Sequence, residues 1–325
     1  MKAVVCKEHG MADKLTLDQD WPEPVAGDHE VLVNVRAAGL NFPDVLMIQG
    51  KYQMQPDMPF VAGGEFAGDV IAVGSKVERY KVGDKVVAMC GSGAFTEKVA
   101  VHELAALPMP ESLSYEQAAG VGVTYFTSYY ALKQRAQLKA GETLLVLGAA
   151  GGVGVTAIEL GKLMGAKVIA AASSDEKLEL CKELGADEVI NYSTTSLKDA
   201  IKELTGGKGV DVVYDPVGGD FAEPAIRGMG WNGRYLVIGF ASGPIPKIPL
   251  NLTLLKGCSL VGVFWGRFTA EEPAVHAQNI EELWALFAEG KLKPLVTDTF
   301  PMAEYEKAFT LMVERKARGK VILTN

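Results

Sequence analysis

The sequence has 325 residues, 48% of them hydrophobic and 22% charged, the profile of a soluble globular chain long enough for about two domains of about 100–200 residues each. Its 32 Lys and Arg against 40 Asp and Glu leave a formal charge of −8, which offers no general attraction to phosphate backbones or anionic membranes and makes nucleic acid an unlikely partner. Four cysteines, Cys6, Cys90, Cys181 and Cys258, stand without any C-x-x-C spacing, so they read as buried free thiols rather than as a disulfide framework or a metal cluster.

The N-terminal stretch MKAVVCKEHG lacks a long apolar segment of the secretory kind. The longest uncharged apolar run, Thr143 to Ile158, carries four glycines and is shorter than the ~20 residues that span a bilayer. A cytoplasmic protein without membrane association is expected. Through about the first third of the chain, short apolar segments at Val31–Val35, Val70–Val73, Lys85–Ala88 and Phe95–Val99 are separated by Gly, Asp and Pro, which predicts a mostly antiparallel β domain.

From Tyr115 an uncharged Ala, Gly and Tyr-rich helical stretch leads to a strand at Thr143–Leu147, a glycine-rich turn and a helix over Val153–Met164. Strand and helix patterns then alternate: Lys167–Ala171, Glu188–Ile190, Val210–Tyr214 and Gly233–Ile238 as strands, Asp175–Leu184, Leu197–Leu204 and Phe221–Met229 as helices. Regular βα alternation predicts an α/β, doubly wound parallel sheet covered on both faces. A further strand at Ser259–Phe264 and a helix at Ala274–Glu289 precede a tail ending in the strand-like Lys320–Leu323. That tail has no βα repeat of its own and is expected to return to the first domain.

The chemistry is concentrated in Gly148-Ala149-Ala150-Gly151-Gly152-Val153-Gly154, after a predicted strand and opening a predicted helix. A dinucleotide pyrophosphate needs close backbone approach, unpaired helix N-terminal amides and the positive end of a helix dipole. Gly148, Ala150, Gly151, Gly152, Val153 and Gly154 are therefore candidate cofactor contacts. NAD enzymes place an acidic residue on the ribose about 20 residues further on. Here that position is Ala172, followed by Ser173, Ser174 and, one helical turn beyond, Lys177. This pattern suits the 2′-phosphate of NADPH, although Ser174 or Asp175 also fits a plain helix N-cap.

At these residues the chain resembles the medium-chain dehydrogenase/reductase superfamily and, within it, the zeta-crystallin-like quinone oxidoreductases. The likeness is carried by Ala38-Gly39-Leu40-Asn41-Phe42-Pro43-Asp44, Gly63-Gly64-Glu65-Phe66-Ala67-Gly68, Val82-Gly83-Asp84-Lys85-Val86, Ala149 to Gly154, and Tyr214-Asp215-Pro216-Val217-Gly218-Gly219. It implies a GroES-like catalytic domain from 1–122 and 267–325, a Rossmann NADP(H)-binding domain from 123–266, a cleft between them and a homodimer. Zinc alcohol dehydrogenases of this superfamily carry a Cys where this chain has Asn41 and a His where it has Gly64. Glu65 alone does not make a site of three protein ligands, so no metal is expected. Hydride chemistry without a Lewis acid favours reduction of quinones or α,β-unsaturated carbonyls over alcohol oxidation.

The resemblance also implies that Asn41, Tyr52 and Thr127 line the nicotinamide side. By the same likeness Lys177 and Tyr192 meet the 2′-phosphate and adenosine, and Gly218, Phe240 and Val263-Phe264-Trp265 wall the nicotinamide and ribose. Asn41 and Tyr52 are the candidate catalytic residues, Tyr52 as donor of a proton or hydrogen bond to the developing oxyanion, in a positioning role, or as packing beneath the cofactor. Phe264 and Trp265 read either as core at a strand end or as an aromatic platform for a flat substrate. His9, His29, His102 and His276 read as surface residues without catalytic partners. Two rival functions remain: reduction of enones or enoyl thioesters, and a non-enzymatic NADPH-binding structural or RNA-binding protein.

Overall fold

The computed structural model describes residues 1–325. They divide into one unit formed by Met1–Val123 with Trp284–Asn325 and another formed by Thr124–Leu283. The first unit opens with β1 (Ala3–Cys6), β2 (Leu15–Asp18), β3 (Glu30–Leu40), α1 (Phe42–Ile48), β4 (Phe60–Val61), β5 (Glu65–Val73), β6 (Lys85–Met89), β7 (Lys98–His102), β8 (Ala106–Pro108) and α2 (Tyr115–Ala118). In β3, Val31, Val33 and Val35 are buried between less buried neighbours, the period-two pattern of a strand with one face on a core. Helix α1 begins where the Asn41 N–H donates to Asp44 Oδ2 at 2.7 Å, with Pro43 in the first turn.

The chain continues through α3 (Gly122–Tyr130), β9 (Thr143–Leu147), α4 (Gly152–Leu163), β10 (Lys167–Ala172), α5 (Asp175–Glu183), β11 (Glu188–Asn191), α6 (Leu197–Leu204) and β12 (Val210–Asp215). Then come α7 (Ala222–Arg227), β13 (Met229–Val237), α8 (Asn251–Lys256), β14 (Ser259–Gly262), α9 (Trp265–Glu271) and α10 (Pro273–Ala288), before β15 (Val296–Pro301), α11 (Tyr305–Val313) and β16 (Lys320–Thr324). The second unit holds a six-stranded sheet in the order β11-β10-β9-β12-β13-β14, parallel throughout. This is the 3-2-1-4-5-6 order of dinucleotide-binding folds, whose direction reverses between β9 and β12. Its central strands are apolar because both faces are covered: Leu144 to Leu147 and Val168 to Ala171 are fully buried.

In the first unit, β15 and β16 run parallel and β16 pairs antiparallel with β3, Ile322 opposite Gly39, so the tail does return to the first domain. Three expectations need correction. The strand expected at Phe95–Val99 lies at Lys98–His102, while Thr96 bridges to Ala3, and the Phe95 carbonyl accepts from Val4 N–H as its own N–H donates to the Ala62 carbonyl. The strand expected to reach Phe264 stops at Gly262 because Trp265 opens a helix. The second crossing falls at 283/284 rather than 266/267: α10 is held by Asn279 and Glu282, which bond Gln134 and Lys133.

Candidate cofactor and catalytic sites

The loops that follow β9 and β12 meet at the point where the strand order reverses. A Cβ on Gly148, whose φ is +57°, would lie 2.7 Å from Val217 Cγ2, so the first loop has room only for glycine there. Ala149 N–H donates to the Ala171 carbonyl at 3.1 Å and Gly151 N–H to that of Gly148 at 2.9 Å, which folds the turn tightly against β10. Gly151 is the N-cap of α4 and supplies no side-chain cap. The amides of Gly152, Val153 and Gly154 thus open the helix without an intrahelical acceptor and without a capping side chain in front of them. A cradle of that kind fits a diphosphate. Ala150 is buried beneath it.

The second loop is held by Asp215, whose Oδ1 accepts from Val217 N–H at 2.7 Å and Gly218 N–H at 2.8 Å, and which also accepts from the Tyr235 hydroxyl. Burial pushes the Asp215 carboxyl up, against the pull of those donors. Gly218 has φ +66°, and a Cβ there would strike the Phe240 ring at 2.8 Å, so Gly218 and Phe240 are packed together. Behind the cradle, the Ser128 hydroxyl lies 2.8 Å from both Thr156 Oγ1 and the Tyr214 hydroxyl. That buried chain ties α3, which carries Thr127, to the first turns of α4 and to β12.

At the end of β10 no carboxylate stands at the ribose position, where Ala172 is buried. Lys177 Nζ is 3.4 Å from Ser173 Oγ, and Tyr192 N–H bonds the Ala172 carbonyl with its ring 4.3 Å from that of Phe221. Ser173, Lys177 and Tyr192 are thus brought together. Ser174 caps α5 by accepting from Lys177 N–H, and Asp175 is engaged by Asn191 Nδ2 at 2.7 Å.

Phe264 and Trp265 part company. Phe264 is 53% exposed, whereas Trp265 stands 6.1 Å from Phe126 and 5.8 Å from His276, with its Nε1 buried and without a hydrogen-bond partner. His276 is not the surface residue expected. Its ring is also 5.7 Å from Phe126 and 5.9 Å from Phe268, and burial pushes its pKa below the ordinary imidazole value.

In the first unit Asn41 belongs to a buried polar cluster with Asp44, Glu65 and Lys320. Lys320 Nζ donates to Glu65 Oε1 at 2.6 Å, Asn41 Oδ1 at 2.5 Å and the Leu40 carbonyl at 3.1 Å. Asn41 Nδ2 donates to Glu65 Oε1 at 2.8 Å and the Gly39 carbonyl at 3.3 Å. Asp44 and Lys320 were not singled out from sequence, though a lysine opening an otherwise apolar strand was a signal. Tyr52 is half-buried beside the core, and burial followed by the Asp44 charge pushes its hydroxyl above the usual tyrosine value. No group of three His, Cys, Asp or Glu side chains is placed to hold a metal ion.

Residues 27–111 match the alcohol dehydrogenase GroES-like domain and residues 152–286 the zinc-binding dehydrogenase domain, the latter stretch excluding Asn41, Gly64 and Glu65. The chain is 39% identical to a quinone oxidoreductase-like protein 2 homolog from Nematostella vectensis over 99% of its own length and 88% of the other. It is 32% identical to the Homo sapiens quinone oxidoreductase over 99% and 97%. The chain belongs to the quinone oxidoreductase family of the medium-chain dehydrogenases/reductases. Among solved members, the Escherichia coli quinone oxidoreductase complexed with NADPH superposes with a TM-score of 0.93 at 30% identity, covering 100% of both chains. The Pseudomonas syringae quinone oxidoreductase does so with a TM-score of 0.93 at 33% identity, over 100% of this chain and 99% of that one. In this family member no helix is long and apolar enough to cross a membrane.

Proposed function

We propose that this protein reduces quinones at the expense of NADPH by direct hydride transfer, without a metal. The observation that carries the reading is the open glycine cradle of α4 beside a β10 terminus that offers Ser173 and Lys177 in place of a carboxylate. NADPH would supply the hydride. The amides of Gly152 to Gly154 hold its diphosphate, Lys177 with Ser173 neutralises the 2′-phosphate, and the Asp215-braced Gly218 loop, with Phe240, shapes the nicotinamide end. Thr127 and Trp265, whose Nε1 lacks a partner, complete that end as donors. Asn41, fixed by Lys320 and Glu65, and Tyr52 are the residues we assign to orienting the acceptor.

We also infer a homodimer. Strand β14 stands at the open edge of the six-stranded sheet, and Trp231, Leu250, Leu254 and Leu255 are large apolar residues left 70–79% exposed. Such an edge is normally covered or paired.

The deciding experiment follows loss of reduced-nicotinamide absorbance with a benzoquinone, a phenanthrenequinone, an alkenal and an enoyl thioester, each with NADPH and with NADH. Quinone kcat/KM above that of the enones, with NADPH preferred, is expected. Enone preference would transfer the reading to unsaturated carbonyls, equal use of NADH would remove the 2′-phosphate assignment, and tight NADPH binding without turnover would favour a non-enzymatic role.

A further inference from the structure

We propose that Asp44 is the proton donor of the reduction, delivering the proton of its carboxyl from Oδ1 to the substrate oxygen, directly or through one water. This rests on the reductase reading above, because hydride addition to a quinone leaves a hydroquinone anion that must gain a proton.

The assignment follows by elimination within the cluster. Glu65 and Asp44 are both buried, 0% and 3% exposed, but the Glu65 oxygens both accept hydrogen bonds, from Lys320, Asn41 and the Val123 N–H. The Lys320 ammonium has three acceptors for its three protons, and both Asn41 amide protons are likewise engaged, so neither has a proton to give. The Cys90 thiol is pushed up to about 12 by burial and by the charges of Asp44 and Glu65, and burial likewise raises Tyr52.

Asp44 differs in geometry. Its Oδ2 accepts from Asn41 N–H at 2.7 Å, while Oδ1 makes no hydrogen bond and faces the place where Gly64 has no side chain, 3.5 Å from where a Cβ would stand. Burial pushes the carboxyl up to about 7; the Asn41 N–H and the Lys320 charge pull it down, and the Glu65 charge pushes it up. The groups facing it are Lys320 on β16, Glu65 on β5, Cys90 after β6 and Tyr52 after α1. A carboxyl tuned in this way is a proton carrier at neutral pH. In the step, the Asp44 O–H bond breaks as an O–H bond forms on the hydroquinone anion, and solvent returns a proton to the carboxylate. Quinone, NADPH and one proton become hydroquinone and NADP⁺.

The test is the pH profile of kcat/KM with NADPH and a benzoquinone for the intact protein and for Asp44→Asn, whose amide oxygen keeps an acceptor for Asn41 N–H. The native profile is expected to fall on the alkaline side with a midpoint of about 7. The variant is expected to lose that limb and to be lower by about 10²-fold at the optimum. An active native enzyme with no such limb overturns the assignment of Asp44 alone, whether or not the variant folds. So does a variant that keeps the native rate and profile. A native protein that binds NADPH but oxidises it with none of the quinones or enones overturns the reductase reading and this inference with it.

Discussion

A Cβ built on Gly154 would stand 2.4 Å from the carbonyl oxygen of Gly148, and 2.6 Å from that of Ala149. At Gly151 the nearest atom would be the same Gly148 oxygen, at 3.3 Å. Gly154 is thus a packing requirement of the turn, while Gly151 lines the approach to the free amides. Gly154→Ala should cost about 1–3 kcal/mol through the backbone shift it forces, read as a lower Tm. Gly151→Ala, at an N-cap where Ala is the poorer residue, should lower Tm less than Gly154→Ala yet weaken NADPH binding more in a fluorescence titration, and equal behaviour of the two variants would refute this division of roles.

On the function proposed above, cofactor choice turns on Lys177, whose ammonium lies 3.4 Å from Ser173 Oγ. Charge-assisted bonds to a phosphate contribute about 1.5–3 kcal/mol, so Lys177→Ala should reduce kcat/KM for NADPH by about tenfold to about a hundredfold. The NADH value should barely move. A parallel loss with both coenzymes would place Lys177 in the support of α5 rather than at the 2′-phosphate.

The parallel sheet was legible because strands buried on both faces read as unbroken apolar runs, as at Leu144 to Leu147, and the cradle because glycine has a steric reason at Gly148 and Gly154. The polar cluster was not: Glu65 and Lys320 are separated by 255 positions, and nothing local announces that a lysine in the last strand will neutralise a carboxylate on β5. His276 was misread for a related reason, since helical periodicity gives a buried face but does not say that Phe126, Trp265 and Phe268 gather around one imidazole. The Asn41 amide, expected at the cofactor, has its donors spent on Glu65 and Gly39. A motif match fixes the position of such a residue without showing which way its hydrogen bonds go.

Lys320 and Glu65 form a buried ion pair, with side chains 7% and 0% exposed. Removing one partner strands the other, so Lys320→Met should destabilise the protein by about 3–5 kcal/mol. The double variant Lys320→Met with Glu65→Gln should recover much of that loss in denaturant unfolding, because no charge is then buried alone. If the double variant is no more stable than the single one, hydrogen bonding by the ammonium to Leu40 and Asn41 dominates the pair.

His276 should give the stability a specific acid limb. Burial among Phe126, Trp265 and Phe268 lowers its folded pKa, while the unfolded imidazole titrates near ~6.5. The neutral ring therefore contributes stability that is present above the unfolded pKa and is lost as pH falls through the lower, folded pKa. Asp44 has the opposite sign. Its folded pKa is raised from 3.8 to about 7, so its contribution is present below the unfolded value and lost as pH rises through the folded one; it cannot produce a loss of stability on acidification. Replacing His276 by Phe keeps an aromatic ring against its three neighbours and removes the titration. Between about pH 7 and about pH 5, across the unfolded imidazole value, Tm of the native protein should fall more steeply than that of His276→Phe. Parallel curves would mean that the imidazole is protonated as readily folded as unfolded, and that its burial carries no electrostatic cost.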